Sequence, residues 1–164
     1  MRIVSNRLLT RLLLIAAMAA CVGCSSFDRD WQAAKKVPPA DAASGCWKGG
    51  WQSKTNFHKG GLRCIIAKPT LLSGDEIDVR PVHNLYEARF RATYRGVIPF
   101  EYVMPMTITE NADGSISFTG EADLGPAAGG VYKYEGTIRD DQFIANYDSR
   151  YDDGIFFMFK QASK

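Results

Sequence analysis

Two histidines and a few aspartates are the side chains of this sequence best suited to acid, base or metal chemistry. His58 and His83 are the only histidines among the 164 residues, and both fall in segments that read as loops. Neither has a cysteine or carboxylate beside it at the spacing of metal ligands, so the pattern favours solvated loop histidines. The sequence predicts no metal site and no cofactor.

The aspartates lie at or near the ends of predicted strands. Asp113, Asp123, Asp152 and Asp153 could bind calcium or act as acids, but turn geometry explains aspartate and glycine at these places. The glycine-rich stretch Gly125 to Gly130 could be taken for a phosphate cradle. It joins two predicted strands, however, and no helix follows it to supply an anion site.

No catalytic set of the Ser-His-Asp or Cys-His kind can be assembled. The inward positions of the predicted strands carry no His, Asp, Glu, Lys or Arg that could act as a base. We therefore expect a protein that is not an enzyme. An enzymatic function is retained only for the case in which the loop carboxylates and histidines converge in one cleft.

These loops connect strands whose apolar residues alternate with polar ones at a period of two. The predicted inward positions, in chain order, are Trp47, Gly49 and Trp51; Leu62, Cys64 and Ile66; Tyr86, Ala88, Phe90, Ala92 and Tyr94; Phe100, Tyr102, Met104, Met106 and Ile108; Ile116, Phe118, Gly120, Ala122 and Leu124; Tyr132, Tyr134, Gly136 and Ile138; Phe143, Ala145 and Tyr147; and Ile155, Phe157 and Phe159. Pro105 cannot donate to a strand ladder, so it predicts a bulge or an incompletely closed seam.

About eight antiparallel strands in meander order would form a sheet that is apolar on one face. Such a sheet must close or fold over, because a single layer would leave an apolar face and two strand edges in water. The sequence predicts an all-β, up-and-down barrel over residues 45–164. A two-sheet sandwich is the alternative, but it favours crossings longer than most of these connections. Only Lys68 to Asn84 is long, with room for a short element around Ile77 and Val79.

The predicted interior is rich in tyrosine. Six tyrosines and one tryptophan form the candidate ligand-binding set: Trp51, Tyr86, Tyr94, Tyr102, Tyr132, Tyr134 and Tyr147. A buried hydroxyl without a partner costs about 1–3 kcal/mol, so each must bond another tyrosine, backbone, water or a ligand. Small residues opposite large ones suit both a filled aromatic core and a pocket for a small apolar or aromatic ligand.

The pleat separates the two cysteines of the barrel. Cys46 is predicted to face outward and Cys64 inward, although a disulfide needs side chains that point together. We expect Cys64 to be a buried free thiol, with a bridge to Cys46 as the alternative in an oxidising compartment.

The N-terminal segment reads as a secretory signal. A charged start precedes an apolar run from Leu12 to Ala20 that is too short to span a bilayer as a permanent helix. Gly23-Cys24-Ser25-Ser26 resembles the lipobox of bacterial lipoproteins, which implies a signal peptide over residues 1–23 and acylation of Cys24. Cleavage before Cys21 and an uncleaved anchor are the alternatives.

Acylation would hold the protein on a membrane through its lipid anchor. By the sorting rule of enterobacterial lipoproteins, Ser25 implies the outer membrane, facing the periplasm. Without Arg2, Arg7 and Arg11 of the signal, the basic residues fall from 20 to 17 against 18 acidic ones. That near-neutral balance predicts no nucleic-acid partner.

Residues 24–44 read as a tether. Phe27, Trp31 and Ala34 have helical spacing, and Pro38-Pro39 then forms a stiff spacer. The short helix could pack Trp31 against the barrel, lie on lipid headgroups, or close one end of the sheet.

The barrel segment resembles the calycin group of lipocalins, fatty-acid-binding proteins and avidins. Their first strand carries a Gly-x-Trp like Gly45-Cys46-Trp47, and a basic residue near the end of the last strand covers that tryptophan, as Lys160 could do here. The resemblance spans Gly45 to Gln161 and implies a calycin-like barrel. Asn56 to Cys64 also looks like a pattern from uncharacterised bacterial envelope proteins, which implies no function.

Two functions fit these observations. One is a non-catalytic envelope module that binds a small apolar or aromatic ligand among its tyrosines. The other is a protein-interaction or inhibitor module that acts on an envelope partner through its loops, around Phe57 or the segment from Lys68 to Asn84, by analogy with barrel-shaped protease inhibitors.

Overall fold

The computed structural model describes residues 26–69 and 84–163. The elements are helix α1 (Ser26–Ala34) and strands β1 (Gly45–Ser53), β2 (Lys59–Ala67), β3 (Leu85–Tyr94), β4 (Ile98–Glu110), β5 (Ile116–Asp123), β6 (Val131–Arg139), β7 (Gln142–Ser149) and β8 (Asp153–Lys160), with a 3-10 turn at Pro126–Ala128. The predictions of acylation at Cys24 and of an extra element around Ile77 and Val79 lie outside the described residues.

The eight strands form a closed barrel in which each strand pairs antiparallel with the next. β8 returns to β1, with Trp47 opposite Lys160 and Trp51 opposite Phe156, so the closed sheet has no free outer strand. The predicted up-and-down barrel is therefore confirmed, and the architecture is consistent with a calycin-like fold. The sandwich alternative was wrong because every strand pairs with its neighbour in sequence.

The pleat sorts the residues of β1 to β7 as the sequence predicts. Trp47, Cys64, Phe90 and Met104 are fully buried in one core cluster, together with inward residues of the other strands. Phe100 keeps the predicted phase, opposite Ala92, but it lies near the start of β4 and is 38% exposed.

The prediction for β8 was wrong by one residue. Phe156 and Met158 are buried inside, whereas Phe157 and Phe159 face out and are 44% and 55% exposed. The run from Ile155 to Phe159 is apolar on both faces, so its own pattern does not indicate a phase. The register with β1 decides it, because Met158 lies opposite Gly49 on the inward face.

Pro105 marks an incompletely closed seam, as predicted. β4 pairs with β3 from Leu85 opposite Thr107 to Tyr94 opposite Ile98. Its ladder with β5 starts only at Met106, opposite Gly120. The part of β4 that precedes Met106 therefore diverges from β5.

Helix α1 packs against the outside of the barrel and does not close an end. Phe27 and Trp31 are buried over Cys46 and against Ile65. Its carboxylates pair with arginines of the barrel wall: Asp28 with Arg63 and Arg91, and Asp30 with Arg89. Neither α1 nor the 3-10 turn is long and apolar enough to cross a bilayer.

The two cysteines of the barrel are free and buried, on opposite faces of the wall. Cys46 lies under the helix and Cys64 in the core. Burial raises the pKa of both thiols. Cys64 is a buried free thiol, as predicted, and side chains on opposite faces do not suit a bridge.

Candidate functional site

One end of the barrel is closed by the segment between α1 and β1, and we call it the sealed end. Trp47 is fully buried there and its Nε1 donates to the carbonyl of Ala43 over 3.0 Å. Lys160 Nζ lies 5.3 Å from the Trp47 ring and donates to the carbonyls of Asp41 and Ala42. The basic residue thus covers the tryptophan in the way that the calycin resemblance implies.

Tyr86 belongs to the sealed end as well. Its hydroxyl donates to Asp41 Oδ2 over 2.8 Å, and Lys68 Nζ lies 3.5 Å from the same oxygen. Burial raises the pKa of Tyr86, and the Asp41 carboxylate raises it further. This predicted ligand-binding tyrosine therefore has a structural partner in the chain.

The other end holds a cavity of about 680 Å³, which we call the open-end cavity. A volume of this size is ordinary for a small-molecule site. The cavity is lined by Trp51, Asn56, His58, Ala92, Tyr94, Ile98, Pro99, Phe100, Tyr102, Leu124, Pro126, Ala128, Gly129, Tyr132, Tyr134, Tyr147, Tyr151, Asp152 and Phe156. Six of the seven predicted ligand-binding residues are in this set, and Tyr86 is not.

The floor of the cavity is aromatic. The ring of Phe156 lies 5.5 Å from that of Tyr134 and 5.2 Å from that of Tyr147, and Phe90 stacks on Tyr102 at 5.1 Å. The hydroxyls of Tyr134 and Tyr102 are 3.2 Å apart and hydrogen bonded. Burial raises the pKa of both tyrosines, so they remain protonated at neutral pH.

A buried serine connects the loops at the mouth. The hydroxyl of Ser53 donates to Asp152 Oδ1 over 2.5 Å, and its backbone N–H donates to the carbonyl of His58. Tyr147 donates to Asp152 Oδ2 over 3.2 Å. Burial raises the pKa of Tyr147, and the charge of Asp152 adds to the effect. Asp152 is thereby fixed at the cavity by two neutral donors.

His58 is half-buried at the same mouth, and this differs from the solvated histidine that the sequence favoured. Its Nδ1 lies 3.0 Å from the hydroxyl of Tyr94, and the two rings meet edge to face at 5.1 Å. Tyr94 in turn stacks on Trp51, whose Nε1 donates to the carbonyl of Thr93.

The loop between β5 and β6 forms another part of the mouth. Gly129 has a φ of 101°, and a Cβ there would lie 2.8 Å from the Tyr132 hydroxyl, so only glycine fits. The glycine-rich stretch thus lets a cavity tyrosine approach the loop closely.

Sequence reasoning missed Ser53, Asp152, Tyr151 and Phe156 as parts of this site. Tyr151 and Asp152 lie in a loop, where residues carry no periodicity, whereas Ser53 ends β1 in phase with Trp51 and could have been found by extending that strand. Phe156 could have been found by pairing β8 with β1, because Trp51 lies opposite it.

The diverging start of β4 and the loops give the cavity an apolar rim. Phe57, Val97 and Tyr151 are 76%, 78% and 64% exposed on three different loops. Ile98 and Phe100 continue this apolar surface into the lining, along the part of β4 that pairs with β3 but not with β5. A ligand can therefore meet apolar groups before it reaches the tyrosines.

Another concavity, of about 710 Å³, lies on the outer surface of β4 to β7. Outward polar side chains such as Thr119, Lys133 and Asn146 line most of it. We regard the open-end cavity as the better candidate site, because aromatic side chains from most strands converge on it.

A loop histidine and a loop carboxylate meet in this cavity, as the enzymatic alternative requires. His58 and Asp152 line one cavity, but no hydrogen bond joins their side chains to each other, or His58 to the hydroxyl of Ser53, in the described part of the chain. In residues 26–69 and 84–163, no three His, Cys, Asp or Glu side chains are grouped so that they could hold a metal ion.

A scan against protein-family models and searches of curated proteins and of solved structures each found no match. The class of protein is therefore inferred from the fold and the aromatic cluster. An eight-stranded barrel with clustered aromatic side chains fits a binding module.

Proposed function

We propose that this protein binds a small apolar or aromatic ligand in the open-end cavity. The observation that carries the proposal is the convergence of Trp51, Tyr102, Tyr134 and Phe156 on a single concave space at one end of the barrel. Stacking and edge contacts between aromatic groups are worth about 0.5–1.5 kcal/mol beyond their buried area. The protein acts in this proposal by binding and not by catalysis.

The sequence also indicates where in the cell this binding would take place. The lipobox-like segment before Cys24 would anchor the protein to a membrane of the bacterial envelope, with the barrel on the periplasmic side. Mass spectrometry of the protein from its own membranes would reveal acyl chains on Cys24. Acyl chains on Cys21 would support the alternative cleavage site, and a protein with neither cysteine acylated would contradict the anchor and leave the binding activity in place.

The binding test uses N-phenyl-1-naphthylamine, a neutral dye whose emission rises in apolar sites. The full chain is held in lipid nanodiscs, and empty nanodiscs provide the blank. We expect saturable binding to one site that weakens several-fold in Tyr102→Ala and in Ala92→Phe, which fills the cavity. Phe157→Ala, which removes an exposed ring from the outer face, is the matched control and should change the affinity less than twofold.

A linear, unsaturable response, or equal affinity in all three variants, would refute the proposal. Native mass spectrometry of the isolated protein adds an independent reading, since a retained ligand would add a defined mass that Ala92→Phe loses.

The apolar rim favours a second candidate function, which is docking of an envelope protein onto the loops. A photo-crosslinking amino acid at Phe57 should then capture one defined partner in cells, and the same group at Asp140, at the sealed end, should not. Equal capture from the two positions would exclude specific docking at the rim.

A further inference from the structure

The open-end cavity has an uneven charge. Among the described residues that line it, Asp152 is the one carboxylate and none is a lysine or arginine. The other polar groups there are hydroxyls, the amide of Asn56 and the imidazole of His58. A carboxylate at the mouth of an apolar space gives that space a negative potential.

Asp152 has no cationic partner in the described part of the chain. Its two oxygens accept hydrogen bonds from Ser53 and Tyr147, which are neutral, and no Lys or Arg nitrogen lies within 4.0 Å of them. Carboxylates that are half removed from water are usually paired with a cation as well as hydrogen bonded. The two neutral donors fix the position of the carboxylate and leave its charge uncompensated.

Three basic side chains lie near the mouth but outside the lining, and two of them contact rings that line the cavity. Arg95 and Arg150 are exposed on rim loops, 5.5 and 5.2 Å from the rings of Tyr94 and Tyr151. Lys54 donates to Asn146, whose side chain faces outward on β7. None of these three residues contributes to the lining.

Aromatic rings also favour a cationic ligand, since the face of each ring carries negative potential and attracts a cation within about 6 Å. Tyrosine, tryptophan and phenylalanine rings line the space, and the hydroxyl of Tyr147 donates to Asp152. A carboxylate combined with such rings is a recognition chemistry for an ammonium group.

We propose that the ligand is an organic cation, with an ammonium group at Asp152 and an apolar or aromatic body among Tyr102, Tyr134 and Phe156. This proposal rests on the proposed function and narrows it to one chemical class. An anionic ligand would place its charge against Asp152, and a neutral one would leave the carboxylate without a counter-charge.

Three probes of the same size test the proposal. They are 1-naphthylmethylamine, 1-naphthylmethanol and 1-naphthoate, which are cationic, neutral and anionic at pH 7. Isothermal titration of the full chain in nanodiscs of neutral lipid, with empty nanodiscs as the blank, gives the three affinities at one ionic strength. We expect the amine to bind at least tenfold more tightly than the alcohol, which is about 1.4 kcal/mol, and the carboxylate to bind most weakly.

Asp152→Asn keeps the shape and an acceptor oxygen while it removes the charge. It should lower the affinity for the amine at least tenfold and change that for the alcohol less than twofold. Asp153→Asn is the matched control, because this neighbour bonds Thr55 outside the lining and loses the same charge. It should alter both affinities less than threefold.

Equal binding of amine and alcohol by the unaltered protein would overturn the proposal, and so would a preference for the carboxylate. This comparison does not depend on whether Asp152→Asn folds. If N-phenyl-1-naphthylamine binds and the amine does not, the cation proposal fails and the binding function stands. If no probe and no dye binds, both fail.

Discussion

Trp47 and Trp51 occupy the same face of the same strand, four positions apart, yet one is buried in the core and the other lines a cavity. Trp47 is fully buried under the segment that seals the barrel, with its Nε1 bonded to Ala43. Trp51 is half-buried, stacks on Tyr94 and faces the open-end cavity. The strand treats them alike, so the difference comes from what lies over each end of the barrel.

The sealed end is covered by chain that is fastened at several points. Asp41 accepts hydrogen bonds from Tyr86 and from the backbone of Ala43 and Ser44, while Lys160 bonds the carbonyls of the same segment. Within residues 26–69 and 84–163, the open end is bordered only by turns between strands. Aromatic residues therefore fill space at one end and enclose it at the other.

The sharpest test of this contrast is the pair Trp47→Ala and Trp51→Ala. Removing a fully buried tryptophan leaves a cavity, so we expect Trp47→Ala to lower the free energy of unfolding by about 3–5 kcal/mol. Trp51→Ala enlarges a space that is already open and should cost about 1–2 kcal/mol. Urea titration followed by circular dichroism measures both.

Equal losses of stability would break the comparison, because they would mean that Trp51 belongs to a filled core. If Trp47→Ala does not fold, Trp47→Phe gives a smaller cavity and keeps the order of effects measurable.

Lys160→Met tests the cover of the sealed end. The variant keeps the apolar stem but loses two charge-assisted hydrogen bonds and the contact with the Trp47 ring. We expect a loss of about 1–3 kcal/mol in the free energy of unfolding. Lys133→Met, on the exposed face of β6, is the control and should lie within about 0.5 kcal/mol of the unaltered protein. A loss of stability in the control as large as in Lys160→Met would show that Lys160 has no special role in covering Trp47.

Tyr86→Phe separates the tyrosine of the sealed end from those of the cavity. It removes the hydroxyl that donates to Asp41 and should cost about 1 kcal/mol at pH 7. Tyr132→Phe is the matched control at the open end. The Tyr132 hydroxyl has no hydrogen-bond partner in the described part of the chain, so its loss should be nearly neutral.

The Tyr86 effect should also depend on pH. Burial raises the pKa of Asp41, but the hydrogen bonds from Ser44 and Tyr86 outweigh it and hold the pKa below its ordinary value. A carboxylate with a lowered pKa stabilises the fold above about pH 3.9, and the contribution is lost as the pH falls through the folded-state pKa. The cost of Tyr86→Phe should therefore shrink between pH 7 and pH 3. An unchanged cost would show that Asp41 is not its partner.

The parts of the barrel also differ in how well the sequence predicts them. Strict alternation in β1 to β7 predicts the barrel and its inward face, and Pro105 predicts the open seam. The pattern does not indicate the inward residues of β8, because Phe156 and Phe157 are equally apolar. Only the pairing with β1 selects Phe156 as the inward one.

The candidate site was predictable only in part. Its tyrosines follow from the period of two, but sequence alone could not decide between a filled core and a pocket, because that depends on what covers each end. His58 and Asp152 reach the end of β1 at Ser53 through loop conformation, which depends on contacts between residues as distant in sequence as Ser53 and Asp152.

The smallest effect is expected on the outer face of the sealed half, where α1 covers Cys46. Asp28→Asn weakens ion pairs to Arg63 and Arg91 that remain partly open to solvent. Such pairs are screened, so the free energy of unfolding should change by less than about 1 kcal/mol. The helix should nevertheless detach more often.

Thiol labelling with mass mapping at pH 7 detects that detachment directly. Asp28→Asn should raise the labelling rate of Cys46 about threefold and leave Cys64 unreactive, because Cys64 lies inside the barrel and not under the helix. Asp148→Asn, an exposed change on β7, should affect neither rate. Faster labelling of Cys64 in Asp28→Asn would mean that α1 stabilises the barrel wall itself. The stability of the barrel near the sealed end would then depend on α1 as well as on the segment over Trp47.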